Sequence, residues 1–225
     1  RLDYEVHLYV EKVNLPKYFE KYMKSGQLKI LDCDTILEYN GGEICPYSDL
    51  FRYKLLLKGG TWSDLDLVLI RRLPNQSIII SSEHTMAQGA FKSKKSYTPN
   101  IGLLRFPPGH PVIESTIAKI ENKLSVSTGT DNMNVFKKFV NKFMEEHVSP
   151  AEHYCGVPWF QTKELYYSDS YNVKYGVETP DNKTILNNCY GIHLWNSLTV
   201  NKHNIIFNKC HVNSLYTMIY NIVYN

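Results

Sequence analysis

The chain has 225 residues, 43% of them apolar, and its 25 lysines and arginines against 22 aspartates and glutamates leave a net charge of +3. That size and apolar share suit one globular domain spanning residues 1–225, and so mild a charge without a basic run speaks against a nucleic-acid partner. Five dispersed cysteines (Cys33, Cys45, Cys155, Cys189, Cys210) without C-x-x-C spacing fit reduced thiols in a cytoplasmic protein rather than a disulfide framework, and no apolar run is long enough for a transmembrane segment.

No signal peptide is evident. The chain opens at Arg1 rather than at a methionine, so an upstream piece is expected. Residues 5–10 (EVHLYV) form a β-rich run and are predicted as a strand. Residues 14–26 (NLPKYFEKYMKSG) read as a helix stopped by Gly26, and residues 28–32 (LKILD) as a second strand. A loop with Gly41 and Gly42 covers residues 37–45.

Residues 47–73 (YSDLFRYKLLLKGGTWSDLDLVLIRRL) organise the rest. Ser48 is a suitable N-cap for a helix. Gly59 and Gly60 suit its left-handed end. Asp64 and Asp66 flank Leu65. In an extended segment residues i and i+2 point the same way, so both carboxylates are predicted to face one spot. The run LDLVLI follows as a buried strand. Like charges this close repel, which predicts that removing Asp66 relieves the metal-free protein. A divalent cation carrying a phosphate-bearing ligand resolves the repulsion when bound.

Residues 77–81 (SIIIS) are a further strand. Residues 83–99, with Lys92, Lys94 and Lys95, are polar and read as a solvated surface loop or a loop over the site. Residues 100–106 (NIGLLRF) form a strand closed by Pro107 and Pro108. Val112, Ile113, Ile117 and Ile120 give residues 111–124 a helical spacing, and residues 132–147 are a second helix. In residues 155–167 (CGVPWFQTKELYY), Trp159 offers a ring either to the core or to a sugar face. Residues 190–199 (YGIHLWNSLT) open the C-terminal part. Strands alternate with helices, which predicts an α/β fold with a mostly parallel central sheet flanked by helices and a site at the strands' carboxyl ends.

The strings S-D-L-F-R-Y-K-L-L and G-G-T-W-S-D-L-D-L-V resemble the signature of D-x-D sugar glycosyltransferases, nearest to the family 32 and capsular-polysaccharide-type enzymes and more distantly to glucosylating bacterial toxins. H-x-W-N-S, from His193 to Ser197, is similar to the C-terminal motif of the same group. The chain also resembles transferase domains encoded by large DNA viruses, which implies the host cytoplasm as its location. The resemblance implies the GT-A nucleotide-diphospho-sugar transferase fold. Its usual first strand is not found here, and Gly156-Val-Pro158 stands where a Gly-Pro turn is usual.

By resemblance, Asp66 and His193 hold Mn2+ or Mg2+, and Asp64 faces the ribose and sugar hydroxyls. Asp49 and Arg52, the D-x-x-R pair, address the donor sugar from one helix face, although an intrahelical ion pair is the plainer reading of that spacing. Trp195 and Ser197 contact the diphosphate or metal. Gln161 has a position from which it could reach the sugar but is not counted among the site residues. Asp64, Asp66 and Arg52 are then the catalytic residues. The reaction moves a sugar from a UDP-sugar, such as UDP-glucose, to a hydroxyl of a glycan or glycoprotein with retention at the anomeric carbon. An inverting enzyme would need a carboxylate base, with Glu152, Glu164 and Asp169 as candidates. The alternatives are a metal-dependent phosphoryl or nucleotidyl transferase, which the lack of a G-x-x-x-x-G-K-[ST] string disfavours, and a non-catalytic sugar-nucleotide-binding module.

Overall fold

The computed structural model describes residues 4–10, 20–38, 43–85, 97–122, 129–172, 174, 177–201, 205–206 and 209–224. The predicted glycine loop at 41–42, the lysine-bearing part of the 83–99 segment and the first turns of the predicted 14–26 helix lie outside these residues.

The first described unit is β1 (Val6–Val10), a short α1 (Glu20–Lys24) and β2 (Leu28–Asp32). β1 and β2 pair in parallel from Val6–Leu28 to Val10–Asp32, as a strand–helix–strand crossover requires. Helix α2 runs from Ile44 to Leu57 and starts four residues before the predicted cap: Glu43, not Ser48, is the N-cap residue. Pro46 is accommodated in the first turn, where a backbone N–H has no partner to lose. The predicted end holds. Gly59 has φ 85° and donates its N–H to Leu56 O, a left-handed C′ position. A Cβ there would also meet Pro108 Cδ at 2.9 Å, so glycine is needed for both conformation and space.

Four strands follow α2 among the described residues: β3 (Gly60–Ser63), β4 (Leu67–Leu69), β5 (Ile79–His84) and β6 (Tyr97–Phe106). β6 is the centre of a three-stranded antiparallel sheet in the order β3-β6-β5. Beyond it come α3 (Pro111–Glu121), α4 (Gly129–Phe143), α5 (Thr162–Tyr167), α6 (Asn182–Asn188), β7 (Gly191–His193), α7 (Asn196–Asn201) and α8 (Leu215–Tyr224). β4 leaves the β6 sheet and pairs antiparallel with β7, Leu67 opposite His193.

The protein is thus mixed α/β, but the expected mostly parallel sheet is corrected. Among the described residues only β1 and β2 pair as parallel strands, and the β3–β6, β5–β6 and β4–β7 pairs are antiparallel. The physical reason is local. β3 to β6 follow one another with no described helix between them, so no crossover returns the chain in the same direction. None of the described helices is long and apolar enough to cross a membrane.

Among the described residues, three apolar clusters hold these elements together. In one, Tyr53 and Leu56 of α2, Ile113 and Ile117 of α3, and Phe136 and Val140 of α4 pack on Leu104 and Phe106 of β6. In a second, Leu165 and Tyr166 of α5 and Ile185 of α6 meet Ile192 of β7 and Leu215 and Ile219 of α8. The third is Leu67, Ile79, Leu103, Tyr154, Cys155 and Trp195. It lies where β4, β6 and the β7–α7 turn come together, beneath the predicted acidic motif.

Candidate active site

The D-x-D is a turn rather than an extended segment. Ser63 is the last residue of β3 and pairs with Leu103. Asp64 then donates its N–H to Gly102 O at 2.7 Å, and its own carbonyl accepts Leu67 N–H at 3.2 Å. Leu65 at the tip is 90% exposed. The carboxylates do converge, but through this turn and not through i, i+2 alternation. Asp64 belongs to the β3–β6 side and Asp66 to the β4–β7 side, so the turn links two sheets.

Residues far apart in sequence close on it. Ligand atoms of Asp64, Asp66 and His193 all lie within 4.8 Å of one another. His193 Nε2 is 3.0 Å from Asp66 Oδ1. The other Asp66 oxygen accepts Asn196 N–H at 2.8 Å, and its carbonyl accepts Leu194 N–H at 2.8 Å. Burial pushes the Asp66 carboxyl up, but the His193 hydrogen bond and charge with the Asn196 N–H outweigh it and hold it below the usual carboxylate range.

Asp64 Oδ1 receives Trp62 Nε1–H at 2.8 Å and faces Arg52 Nη2 at 3.2 Å. Arg52 sits over the Trp62 ring at 4.9 Å, a cation–π arrangement, and donates Nη1–H to Ile101 O at 3.1 Å. Its Nε is buried without an acceptor among the described residues. Asp49, one helical turn before it, is farther away at 3.8 Å. Burial, partly offset by Arg52 and reinforced by Asp64, raises the Asp49 carboxyl to about 6.

Gly102 lies against Asp64 and His193. A Cβ there would stand 2.8 Å from Asn100 Oδ1, 3.4 Å from Asp64 Oδ2 and 3.4 Å from His193 Cε1. The donor set is two carboxylates and an imidazole, and only a glycine fits beside Asp64 and His193 at position 102 without a shift of its neighbours. Carboxylate and imidazole donors of this kind could hold Mn2+ or Mg2+.

Other predicted residues fare differently. Trp195 lies against His193, ring centroids 4.0 Å apart, but its indole N–H donates to Val157 O at 3.0 Å. It supports the histidine ring from the core. Its φ of 55°, rare for a non-glycine residue, turns the chain from β7 into α7. Ser197 is exposed in the first turn of α7. Gln161 is buried, donating to Asn172 O at 2.6 Å and accepting from Thr179, which assigns it to the core. Trp159 packs on the cluster containing Leu67 and Trp195. Of the candidate bases, Glu164 faces Lys174 at 3.9 Å, and Glu152 and Asp169 are exposed.

Sequence reasoning missed Trp62, Asn196 and Gly102 as parts of the site. Trp62 and Asn196 lie inside the quoted strings, so position was a clue. The contributions of Asn196 and Ile101 are made by the backbone, which leaves no side-chain signature.

Residues 129–223 match the family described as the alpha 1,4-glycosyltransferase conserved region. The match covers less than half of the chain and includes His193, Trp195 and Ser197, while Asp49, Arg52, Asp64 and Asp66 precede it. No curated protein matches the chain, and no solved structure does. The family match supports a sugar-transferring enzyme with a sugar donor and a glycan acceptor.

Proposed function

We propose that the chain is a metal-dependent glycosyltransferase of the GT-A type, kin to the family 32 enzymes. It moves a sugar from a UDP-sugar to a hydroxyl of a glycan or glycoprotein, with retention of configuration. The observation that carries this reading is the meeting of Asp64, Asp66 and His193, with ligand atoms within 4.8 Å of one another. One carboxylate pair precedes the transferase-like region and the histidine lies within it.

Asp66 and His193 would hold the cation, with Asp64 beside it. When bound, Mn2+ neutralises charge on the departing diphosphate as a Lewis acid. Arg52, fixed by Ile101 O, Asp64 and the Trp62 ring, keeps a fixed positive charge at the same place. A preorganised charge of this kind stabilises developing negative charge without reorganising as the bond breaks. Asp49 behind it tempers the guanidinium. Exposed Leu65 leaves the turn open on the solvent side, where substrate arrives.

The test is incubation of the protein with Mn2+ and UDP-glucose or other nucleotide sugars, followed by an assay for released UDP. Slow Mn2+-dependent UDP release is expected. Stabilisation by nucleotide sugars without turnover would assign a binding module instead, and pyrophosphate release from nucleoside triphosphates would assign a nucleotidyl transferase.

A further inference from the structure

β6 carries an irregularity directly behind the candidate site. Ile80 pairs with Leu104 and Ser82 with Pro99, so the single residue Ser81 faces residues 100–103. Bulged strands re-aim side chains and backbone beside functional sites. Here the bulge is held by side chains. Ser81 Oγ donates to Asn100 O and accepts Leu103 N–H, both at 3.1 Å, replacing the missing ladder. Asn100, 6% exposed, accepts Gly102 N–H on Oδ1 at 2.6 Å and donates Nδ2–H to Glu83 Oε2 at 3.1 Å. The other Glu83 oxygen meets Lys137 Nζ of α4 at 3.2 Å.

The bulge in turn presents two carbonyls to the site: Ile101 O accepts from Arg52 and Gly102 O accepts Asp64 N–H. We propose that Asn100 and Glu83, anchored by Lys137, are positioning residues that fix this bulge and thereby place Arg52 and Asp64. The inference rests on the reading of Asp64, Asp66 and His193 as a cation site only for its effect on metal binding. Its geometric part stands on the contacts of Ser81, Asn100, Glu83 and Lys137 with the bulge. Lys137 and Glu83 are largely buried, at 14% and 17% exposure. Burying such a pair costs more than an apolar pair of the same volume, and a fixed bulge gives it a task.

The test compares wild type, Asn100→Asp and the exchange variant Glu83→Gln/Asn100→Asp. Asn100→Asp keeps the acceptor for Gly102 N–H but sets a carboxylate against Glu83. The exchange restores one donor and one acceptor with the polarity reversed and the net charge unchanged. Amide hydrogen exchange at Gly102 and Asp64 is measured against Leu104 of the same strand, and Mn2+ affinity is measured by titration.

In Asn100→Asp, exchange at Gly102 and Asp64 is expected to speed up roughly tenfold relative to Leu104, with weaker Mn2+ binding. An added carboxylate would by charge alone strengthen cation binding, so a loss has the opposite sign to a simple electrostatic effect. The exchange variant should recover both readouts. Unchanged relative exchange in Asn100→Asp, or an exchange variant no better than the single one, overturns the proposal. If the single variant does not fold, Asn100→Ser, too short to reach Glu83, carries the same expectation at the same amides. Absent Mn2+ binding in wild type, with the amide pattern as expected, sinks the cation reading and leaves the positioning role in place.

Discussion

Arg52 lies closer to Asp64, 3.2 Å away across a helix–strand contact, than to Asp49 one turn earlier in its own helix at 3.8 Å. The D-x-x-R spacing therefore does not describe a simple intrahelical pair. Arg52 is a bridge between α2 and the acidic turn, held flat against Trp62 and anchored on a β6 carbonyl. Arg52→Lys keeps the charge but cannot hold Ile101 O and Asp64 together while covering the indole ring. Mn2+-dependent UDP release is expected to fall roughly tenfold or more, with a smaller effect on melting temperature. Turnover at the wild-type rate would remove Arg52 from the donor site.

Asp66→Ala is expected to lower the melting temperature of metal-free protein, contrary to the relief that carboxylate repulsion alone suggests. Asp66 accepts from His193 and from Asn196 N–H, and its pKa lies below the usual range. Its charged form thus stabilises the fold above the unfolded pKa, and that contribution is lost as pH falls through the folded one. Loss of these partners should cost about 1–3 kcal/mol. The additional stabilisation by Mn2+ plus UDP should disappear. A variant as stable as wild type in the presence of chelator would show that repulsion dominates after all.

Asp49→Asn gives a pH-dependent effect of opposite sign. Burial raises the Asp49 carboxyl from its ordinary 3.8 to about 6. The folded protein then binds the proton more tightly than the unfolded chain, so stability from this group is full below about pH 4 and is lost as pH rises through about 6. Asparagine needs no ionisation. The variant should match wild type near pH 4 and gain on it by roughly 2–3 kcal/mol at pH 7. Denaturant unfolding in chelator at both pH values measures this. A difference that does not change with pH would mean that Asp49 ionises normally.

The β7–α7 segment is expected to resist amide exchange before any ligand is added. His193 N–H donates to Tyr154 O, Leu194 N–H to Asp66 O and Asn196 N–H to Asp66 Oδ2, and Trp195 is pinned to Val157. Mn2+ and UDP should add protection mainly at Asn196, whose acceptor is the proposed metal ligand, and little at Ile192. Exchange mass spectrometry over residues 190–199 reads this. Full exposure of Ile192 without ligand would show a segment that orders only on binding.

The sequence by itself determined where the helix before the acidic motif ends. Gly59 and Gly60 set the end of the helix, because a left-handed stop is a property of single residues, whereas its start lies at Glu43 and not at Ser48. LKILD set β2 to the residue. The quoted strings also held Asp49, Arg52, Asp64, Asp66 and His193, and the structure brings all of them to one place. Tertiary structure alone decided how they meet. The D-x-D is a turn between two sheets, since Asp64 is fixed by a β6 carbonyl and Asp66 by the β7–α7 backbone. Strand direction was likewise invisible, because alternation of strands and helices does not say whether consecutive strands are joined by a crossover. Nor could composition reveal that Gly102 packs against Asp64 and His193 and that Asn100 and Glu83 stand behind it. Glu83 meets Asn100 and Lys137 across long stretches of chain, and backbone groups, which every residue carries, take part in the bulge.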